Sequence, residues 1–358
     1  MSVPSTTARG RGAGSNSSGP FESHQTEAFD DGWSEGDETP TPLRTTVTAE
    51  RARVIITRND SPDVGFDRSI NPYRGCEHGC IYCYARPAHA YMGLSPGLDF
   101  ESKLFFKPEG ARLLAKELAR PNYSPGVIHI GGNTDPYQPQ ERLLKVTRQI
   151  LEVMAAFHHP LSIITKSGLI GRDVDILGPM GKAGLVRAAV SIATLDRSLA
   201  RAMEPRAATP ERRLEAVRRL TDAGAPTIVM FAPVIPGLND HELEAVLEKA
   251  AAAGATSAGY VVLRLPREIK DLFAEWLVAK RPDRAQRVMS LVRQMRGGKD
   301  YDAEWGKRMK GEGPIADIIA QRFKFARRRY RLDRIIPPLD ISQFRVPPRP
   351  GDQLELFG

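Results

Sequence analysis

The sequence predicts an α/β protein built on a curved, partly open (β/α)6 barrel, with a helical extension after it and disordered tails at both ends. Three observations carry this. Short apolar runs alternate with amphipathic segments between residues 46 and 265, and that alternation calls for parallel strands, because each crossover returns right-handed across a sheet. Residues 1–45 mix Gly, Ser, Thr, Pro and acidic residues without apolar periodicity, too little to offset the entropy of ordering. After Leu265 the pattern is helical only. A doubly wound open sheet satisfies the same alternation, since periodicity does not report closure.

Taken in order, residues 54–57 read as a short strand and residues 69–72 as the first strand of the barrel, leading directly into a cysteine loop. Residues 127–130 form the second, ended by Gly131-Gly132, and a helix over 141–157 follows with Leu143, Leu144, Ile150, Leu151 and Met154 at helical spacing. Strands at 161–165 and 186–192 come next. Thr209 as N-cap and Pro210 at the first helical position open a helix carrying Leu214, Val217 and Leu220, which Gly224 stops. Residues 227–232 are the fifth strand. Asn239, with Glu242 three residues on, predicts the N-cap of a helix through Leu243, Val246 and Leu247 to about Gly254. Residues 257–263 make the sixth strand. Helices over 269–278, 284–295 and 314–326 make up an extension spanning 266–336, and 337–358 is a Pro-rich linker with a short tail.

A chain of 358 residues with 41% hydrophobic content can bury a sizeable core. No apolar run reaches the roughly 18 residues of a membrane span, and residues 1–20 lack the apolar stretch of a secretory signal, so a cytoplasmic protein without membrane contact is expected. Three clustered cysteines suit a reducing compartment and argue against a disulfide framework. The net charge of +8 is uneven: residues 21–50 are acidic, whereas residues 267–334 hold 19 Lys and Arg against 10 Asp and Glu. That basic segment reads as a phosphate-binding face or as a solvated helical surface.

The cysteines are Cys76, Cys80 and Cys83, spaced C-x3-C-x2-C in a loop containing Gly75 and Gly79. Such a loop curls so that three sulfurs face one soft metal centre. Three thiolates do not complete a tetrahedral zinc site or a four-cysteine cluster. Either another ligand closes the site, as His78 or His89 would in a zinc knuckle, or one position stays open for chemistry. A buried trio of free thiols is the third reading.

This spacing, with an aromatic before the last cysteine, resembles the signature of the radical S-adenosylmethionine (SAM) superfamily, and Cys80-Ile-Tyr82-Cys83-Tyr84 is similar to the relatives of spore photoproduct lyase. The resemblance implies a partial (β/α)6 TIM-like barrel of the radical SAM type. It implies that Cys76, Cys80 and Cys83 hold three irons of a 4Fe-4S cluster while the fourth iron binds the amino and carboxylate groups of SAM. One electron, from a donor such as flavodoxin or ferredoxin, then cleaves SAM to methionine and a 5′-deoxyadenosyl radical. Gly131, Gly132, Asn133 and Asp135 stand where the family contacts the SAM amino group, with Asn133 in place of the usual Glu. Lys166 and Ser191 match contacts to the SAM carboxylate, a cation and a hydroxyl suited to charge-assisted hydrogen bonds. Arg206 and Ala232 match stretches along the ribose and adenine. Tyr82 and Tyr84 bracket Cys83; rings there ordinarily pack and exclude water, and the lyase resemblance implies a radical relay. The lyase's separate donor cysteine has no counterpart among these three cysteines.

At the C-terminus, Gln353, Leu354, Leu356 and Phe357 of Gln-Leu-Glu-Leu-Phe resemble the peptide with which bacterial polymerases and repair proteins dock on the DNA sliding clamp. The expected function is therefore a radical SAM enzyme acting on nucleic acid, in DNA repair or base modification. The alternatives are the same chemistry on a protein or small molecule, and a non-enzymatic zinc-bound nucleic-acid adaptor.

Overall fold

The computed structural model describes residues 10–16, 21 and 43–348. In chain order its strands are β1 (Thr46–Ala49), β2 (Ile56–Arg58), β3 (Arg68–Ile70), β4 (Tyr73–Arg74), β5 (Lys103–Phe106), β6 (Ile128–Ile130), β7 (Leu161–Thr165), β8 (Val186–Ser191), β9 (Thr227–Val234) and β10 (Ser257–Val262). Strands β3, β6, β7, β8, β9 and β10 pair in that order, all parallel. They are the six that hydrophobic periodicity predicts. β10 does not pair with β3, so the barrel stays open, and β2 covers the β3 edge in antiparallel register.

A second sheet, β1-β5-β4, went unread because β1 is mostly exposed and β4 is two residues long. Its β4 and β5 are antiparallel, and the chain between them, residues 75–102, is the cysteine loop with the short helix α1 (Leu98–Ser102) at its end. The loop is therefore held at both roots by one sheet.

The helices follow as α2 (Gly110–Leu118), α3 (Glu141–Leu144), α4 (Val146–Ala156), α5 (Val174–Lys182), α6 (Arg197–Met203), α7 (Pro210–Ala223), α8 (Leu243–Ala252), α9 (Ile269–Lys280), α10 (Pro282–Gln294) and α11 (Pro314–Arg329). α7 begins and ends as its caps dictate: the Thr209 side chain accepts from the Arg212 N–H, and Gly224 takes φ 100°. The helix expected over 141–157 is broken at Lys145, whose φ is 53°. The cause is Glu141, a buried carboxylate that accepts from the Thr147 and Arg148 N–H groups and from the Tyr73 hydroxyl. Asn239 stands at the N-cap position of the 3-10 turn Asp240–Glu242 that leads into α8, but its side chain does not cap it. Its buried amide accepts from Ile235 N–H and donates to the Ala193 and Pro233 carbonyls, tying the ends of β8 and β9 together.

Two large apolar cores result, beside a small cluster of Cys76, Ala85 and Phe100 within the cysteine loop. One fills the barrel and its surrounding helices, with Ile70, Ile130, Ile163, Val190 and Phe231 fully buried. The other joins α9 and α10, through Phe273, Trp276 and Val288, to Ile81 and Tyr82 of the cysteine loop and to Leu199 and Met203 of α6. The start of the C-terminal extension thus shares a core with the cysteine loop. Some of its basic residues are engaged within the fold: Arg296 is buried on the carbonyls of Leu263, Lys307 and Arg308, Arg308 pairs with Asp63, and Arg322 pairs with Glu244.

The flanking segments are more engaged than composition suggests. Of the leader expected to be disordered, residues 10–16 are bound against the cysteine loop. Of the expected linker, residues 337–345 cross beneath the barrel, where Asp340 N–H donates to Gly184 O, Arg345 N–H donates to Phe157 O and Phe344 packs beside Tyr123 and His159. Residue 21 and residues 43–45 and 346–348 are also described; the rest of both segments, including Gln353, Leu354, Leu356 and Phe357, lies outside the described residues. No helix among the described residues is long and apolar enough to cross a membrane.

Candidate active site at the C-terminal ends of the strands

The cysteine loop is shaped by two glycines. Gly75 and Gly79 take φ values of 72° and 68°, conformations that L side chains rarely adopt, and a Cβ on Gly75 would meet His89 and Phe100 at 2.9 Å. Side chains then clamp the backbone. Gln138, fully buried, donates to Gly75 O and accepts from Glu77 N–H. Arg86, also fully buried, donates to Cys80 O and to the carbonyls of Pro96 and Gly97, and pairs with Glu101.

Cys76 and Cys80 are buried and Cys83 is half-buried. Burial pushes all three thiols up in pKa, Cys76 and Cys80 well above the ordinary range, and at Cys76 the neighbouring Asp135, Cys80 and Cys83 add to it. Free thiolates are therefore disfavoured here, and a bound cation would reverse that. Among the described residues no group of three or more His, Cys, Asp or Glu side chains is placed to hold one metal ion. Zinc at about 2.3 Å from each sulfur would need the sulfurs nearly in contact, whereas irons of a cluster each take one thiolate and let the sulfurs stand apart. Among the described residues neither histidine is grouped with the cysteines as a fourth ligand; His89 Nε2 lies 2.9 Å from Lys103 O, and His78 Nδ1 faces Asp135 at 3.3 Å without the alignment of a hydrogen bond.

The neighbouring strand ends supply a cation and hydroxyls. Lys166, just past β7, donates to Ser191 Oγ at 3.1 Å, and its ammonium sits 5.8 Å from the Tyr82 ring centre. It is near enough to Cys80 and Cys83 for its charge to offset part of the rise that burial imposes on their thiols. Among the described residues no carboxylate pairs with it. Ser191 Oγ in turn donates to Ala232 O, so Lys166, Ser191 and Ala232 from β7, β8 and β9 form one chain. An ammonium beside Cys80 and Cys83, held by a hydroxyl and left without a carboxylate, suits an anionic group of a bound ligand.

The other residues picked from the sequence divide into the committed and the open. Asp135 accepts from Thr165 Oγ1, Lys166 N–H and Tyr137 N–H. Burial would raise its carboxyl, but the neighbouring His78 and the hydrogen bonds from Thr165 and Lys166 hold it down at about 2. It fastens the loop after β6 to the end of β7. Arg206 is spent on Glu77 and on Gly10 O, and so anchors the cysteine loop. Gly131 has φ 94° and no room for a Cβ, which would lie 2.7 Å from Ile164 O. Gly132 O accepts from the Tyr84 hydroxyl, and Asn133 is exposed.

The tyrosines differ. Tyr82 is buried and donates to Glu204, which pairs with the buried Arg213, which in turn donates to Ser191 O. Tyr84 is 45% exposed, and the Arg264 guanidinium lies 4.9 Å over its ring. Arg264 Nε is buried with no hydrogen-bond partner. The sequence reading missed Gln138, Arg86, Glu101, Arg213 and Arg264. Only Arg264 carried a usable signal, its place at the end of the sixth strand.

The sequence profile of the Radical SAM superfamily matches residues 70–250. An uncharacterised protein of Mycobacterium tuberculosis is 37% identical over 231 residues, covering 64% of this chain and 68% of that protein. One from Methanocaldococcus jannaschii is 30% identical over 178 residues, covering 48% of this chain and 62% of that protein. Among solved structures, a spore photoproduct lyase mutant superposes with a TM-score of 0.56 at 17% identity, covering 79% of this chain and 77% of that one. Spore photoproduct lyase complexed with dinucleoside spore photoproduct gives a TM-score of 0.56 at 14% identity, covering 79% of each. At these identities the likeness speaks for the fold. The chain belongs to the radical SAM superfamily and is a radical SAM enzyme with a fold like that of spore photoproduct lyase.

Proposed function

We propose that this enzyme holds a 4Fe-4S cluster on Cys76, Cys80 and Cys83, binds SAM through Lys166 and Ser191, and acts on nucleic acid. A cluster of this kind, with SAM on its open iron, supplies reductive SAM cleavage and a 5′-deoxyadenosyl radical. The chain's own residues bind, orient and exclude water. Lys166 offers an unpaired ammonium to the SAM carboxylate, with its position fixed by Ser191. Tyr82, locked to Glu204 and packed against α9, walls the cysteine loop from solvent.

The observation that carries the substrate class is the open rim beside Cys83. There a half-exposed aromatic ring, Tyr84, lies under a guanidinium with an unsatisfied Nε, Arg264. An exposed ring for a base and a cation for a phosphate are what single-stranded nucleic acids are gripped by. The solved lyase complex with a dinucleoside photoproduct supports the same class. With three cysteines, all in the loop, a lyase-like thiol donor is lacking, so a repair or base modification by another hydrogen route is the form proposed.

The test is anaerobic reconstitution followed by 5′-deoxyadenosine release with and without single-stranded DNA or RNA. Substrate-dependent release is expected, with nucleic-acid affinity that falls as salt rises. Arg264→Ala should weaken that binding by about 1–2 kcal/mol. Lys166→Ala should instead raise the SAM concentration needed, with binding of nucleic acid unchanged. Salt-insensitive binding, or none, would direct the same chemistry to a protein or small-molecule substrate.

A further inference from the structure

Residues 10–16 lie on the outer side of the cysteine loop, and their contacts are specific. The Gly12 and Ala13 N–H groups both donate to the carboxylate of Glu101, at 2.8 Å each. Arg11 donates to Glu101 O, Leu43 O and Thr45 Oγ1. Asn16 exchanges hydrogen bonds with Asp99, Ser15 donates to Glu275 of α9, and Gly10 O accepts from Arg206. The approach is closest at Gly12, where a Cβ would lie 1.8 Å from Gly79 O, between Cys76 and Cys80. Only glycine lets the two backbones touch there.

Glu101 is completely buried, as is Arg86, with which it pairs. Arg86 donates to Cys80 O. A continuous path therefore runs from the Gly12 and Ala13 amides through Glu101 and Arg86 to the backbone of a cysteine. Without residues 10–16, Glu101 would lose two of its hydrogen-bond donors and the Gly79 carbonyl would lose its cover. A buried carboxylate with a partial set of partners draws in water and loosens what it holds.

We propose that residues 10–16 are a clasp that holds the cysteine loop in its cluster-retaining form, with Gly12 as its key positioning residue. The proposal rests on the cluster assignment above. Its function is retention: the clasp keeps water, oxygen and chelators from the loop, while the thiols alone provide the ligation.

The experiment compares wild type with Gly12→Val, both full length and anaerobically reconstituted, by the rate of visible-absorbance loss on adding an iron chelator. Gly12→Val should release iron about tenfold faster, because opening of the loop then costs fewer hydrogen bonds. Initial iron loading should match wild type, and a synthetic peptide of residues 10–16 added to the variant should slow the release. Thermal unfolding of the metal-free barrel, a readout of global stability, should change little. Equal release rates in the two proteins would overturn the proposal. Should Gly12→Val not fold, Arg11→Ala removes three contacts without steric load and serves the same comparison. Wild-type protein that takes up no iron and sulfide would instead overturn the cluster assignment, and the clasp with it.

Discussion

The two ends of the described chain make contrasting clasps on the same barrel. Residues 10–16 bind at the cysteine loop by hydrogen bonds to a buried carboxylate, whereas residues 337–345 bind at the opposite end by main-chain carbonyls and one aromatic ring, Phe344. The first is polar and glycine-rich, so its energy lies in satisfying a buried charge. The second lies in covering Tyr123, Phe157 and His159. Charge is invested where the cysteine loop is held in one shape, and apolar contact where the barrel base only needs closing.

Breaking the charged end should cost most. Glu101→Ala leaves the buried Arg86 without its partner, and removal of one member of such a pair typically costs about 3–5 kcal/mol. Thermal or denaturant unfolding of the metal-free protein checks this, and a loss under about 1 kcal/mol would mean the loop relaxes and admits water to Arg86.

Acid tests the other end. His159 beneath Phe344 is buried with Tyr123 OH at 2.7 Å from Nε2, and burial lowers its pKa to about 4 from the usual 6.5. The unfolded chain takes up this proton near pH 6.5 while the folded protein refuses it until about 4. The stability this site contributes is complete above pH 6.5 and falls as the pH drops towards 4, by up to about 3 kcal/mol. His129, lowered by burial to about 4, adds to the slope. Melting temperature against pH for wild type and His159→Gln measures it, and a variant with an undiminished slope would assign the loss elsewhere.

Phe344→Ala is the smallest of the three. Phe344 is half-buried, so about 1–2 kcal/mol is expected, with iron retention unaffected. Faster iron release in this variant would show that the two clasps communicate through the barrel.

Much of this was legible in the sequence where a local pattern had a local cause. Thr209, Pro210 and Gly224 delimit α7 as capping rules require, because caps act within one turn. The side-chain cap expected of Asn239 and the continuous helix over 141–157 failed for one reason: buried side chains, the Asn239 amide and the Glu141 carboxylate, serve other backbone instead of the helix beside them. At the site, Lys166 and Ser191, read from separate strand ends, are hydrogen-bonded to each other, whereas Arg206 and Asp135 are drawn into anchoring the loops.

The sequence by itself determined the six parallel strands, the three clustered cysteines and the polar residues that end the strands, since periodicity and spacing are carried by neighbours in the chain. Only the tertiary structure decided that residues 10–16 are bound, that α9 and α10 share a core with the cysteine loop, and that Arg264 stands over Tyr84. Those contacts join residues up to 260 positions apart, as from Ser15 to Glu275. They rest on complementarity between buried charges and backbone amides, which no single segment displays.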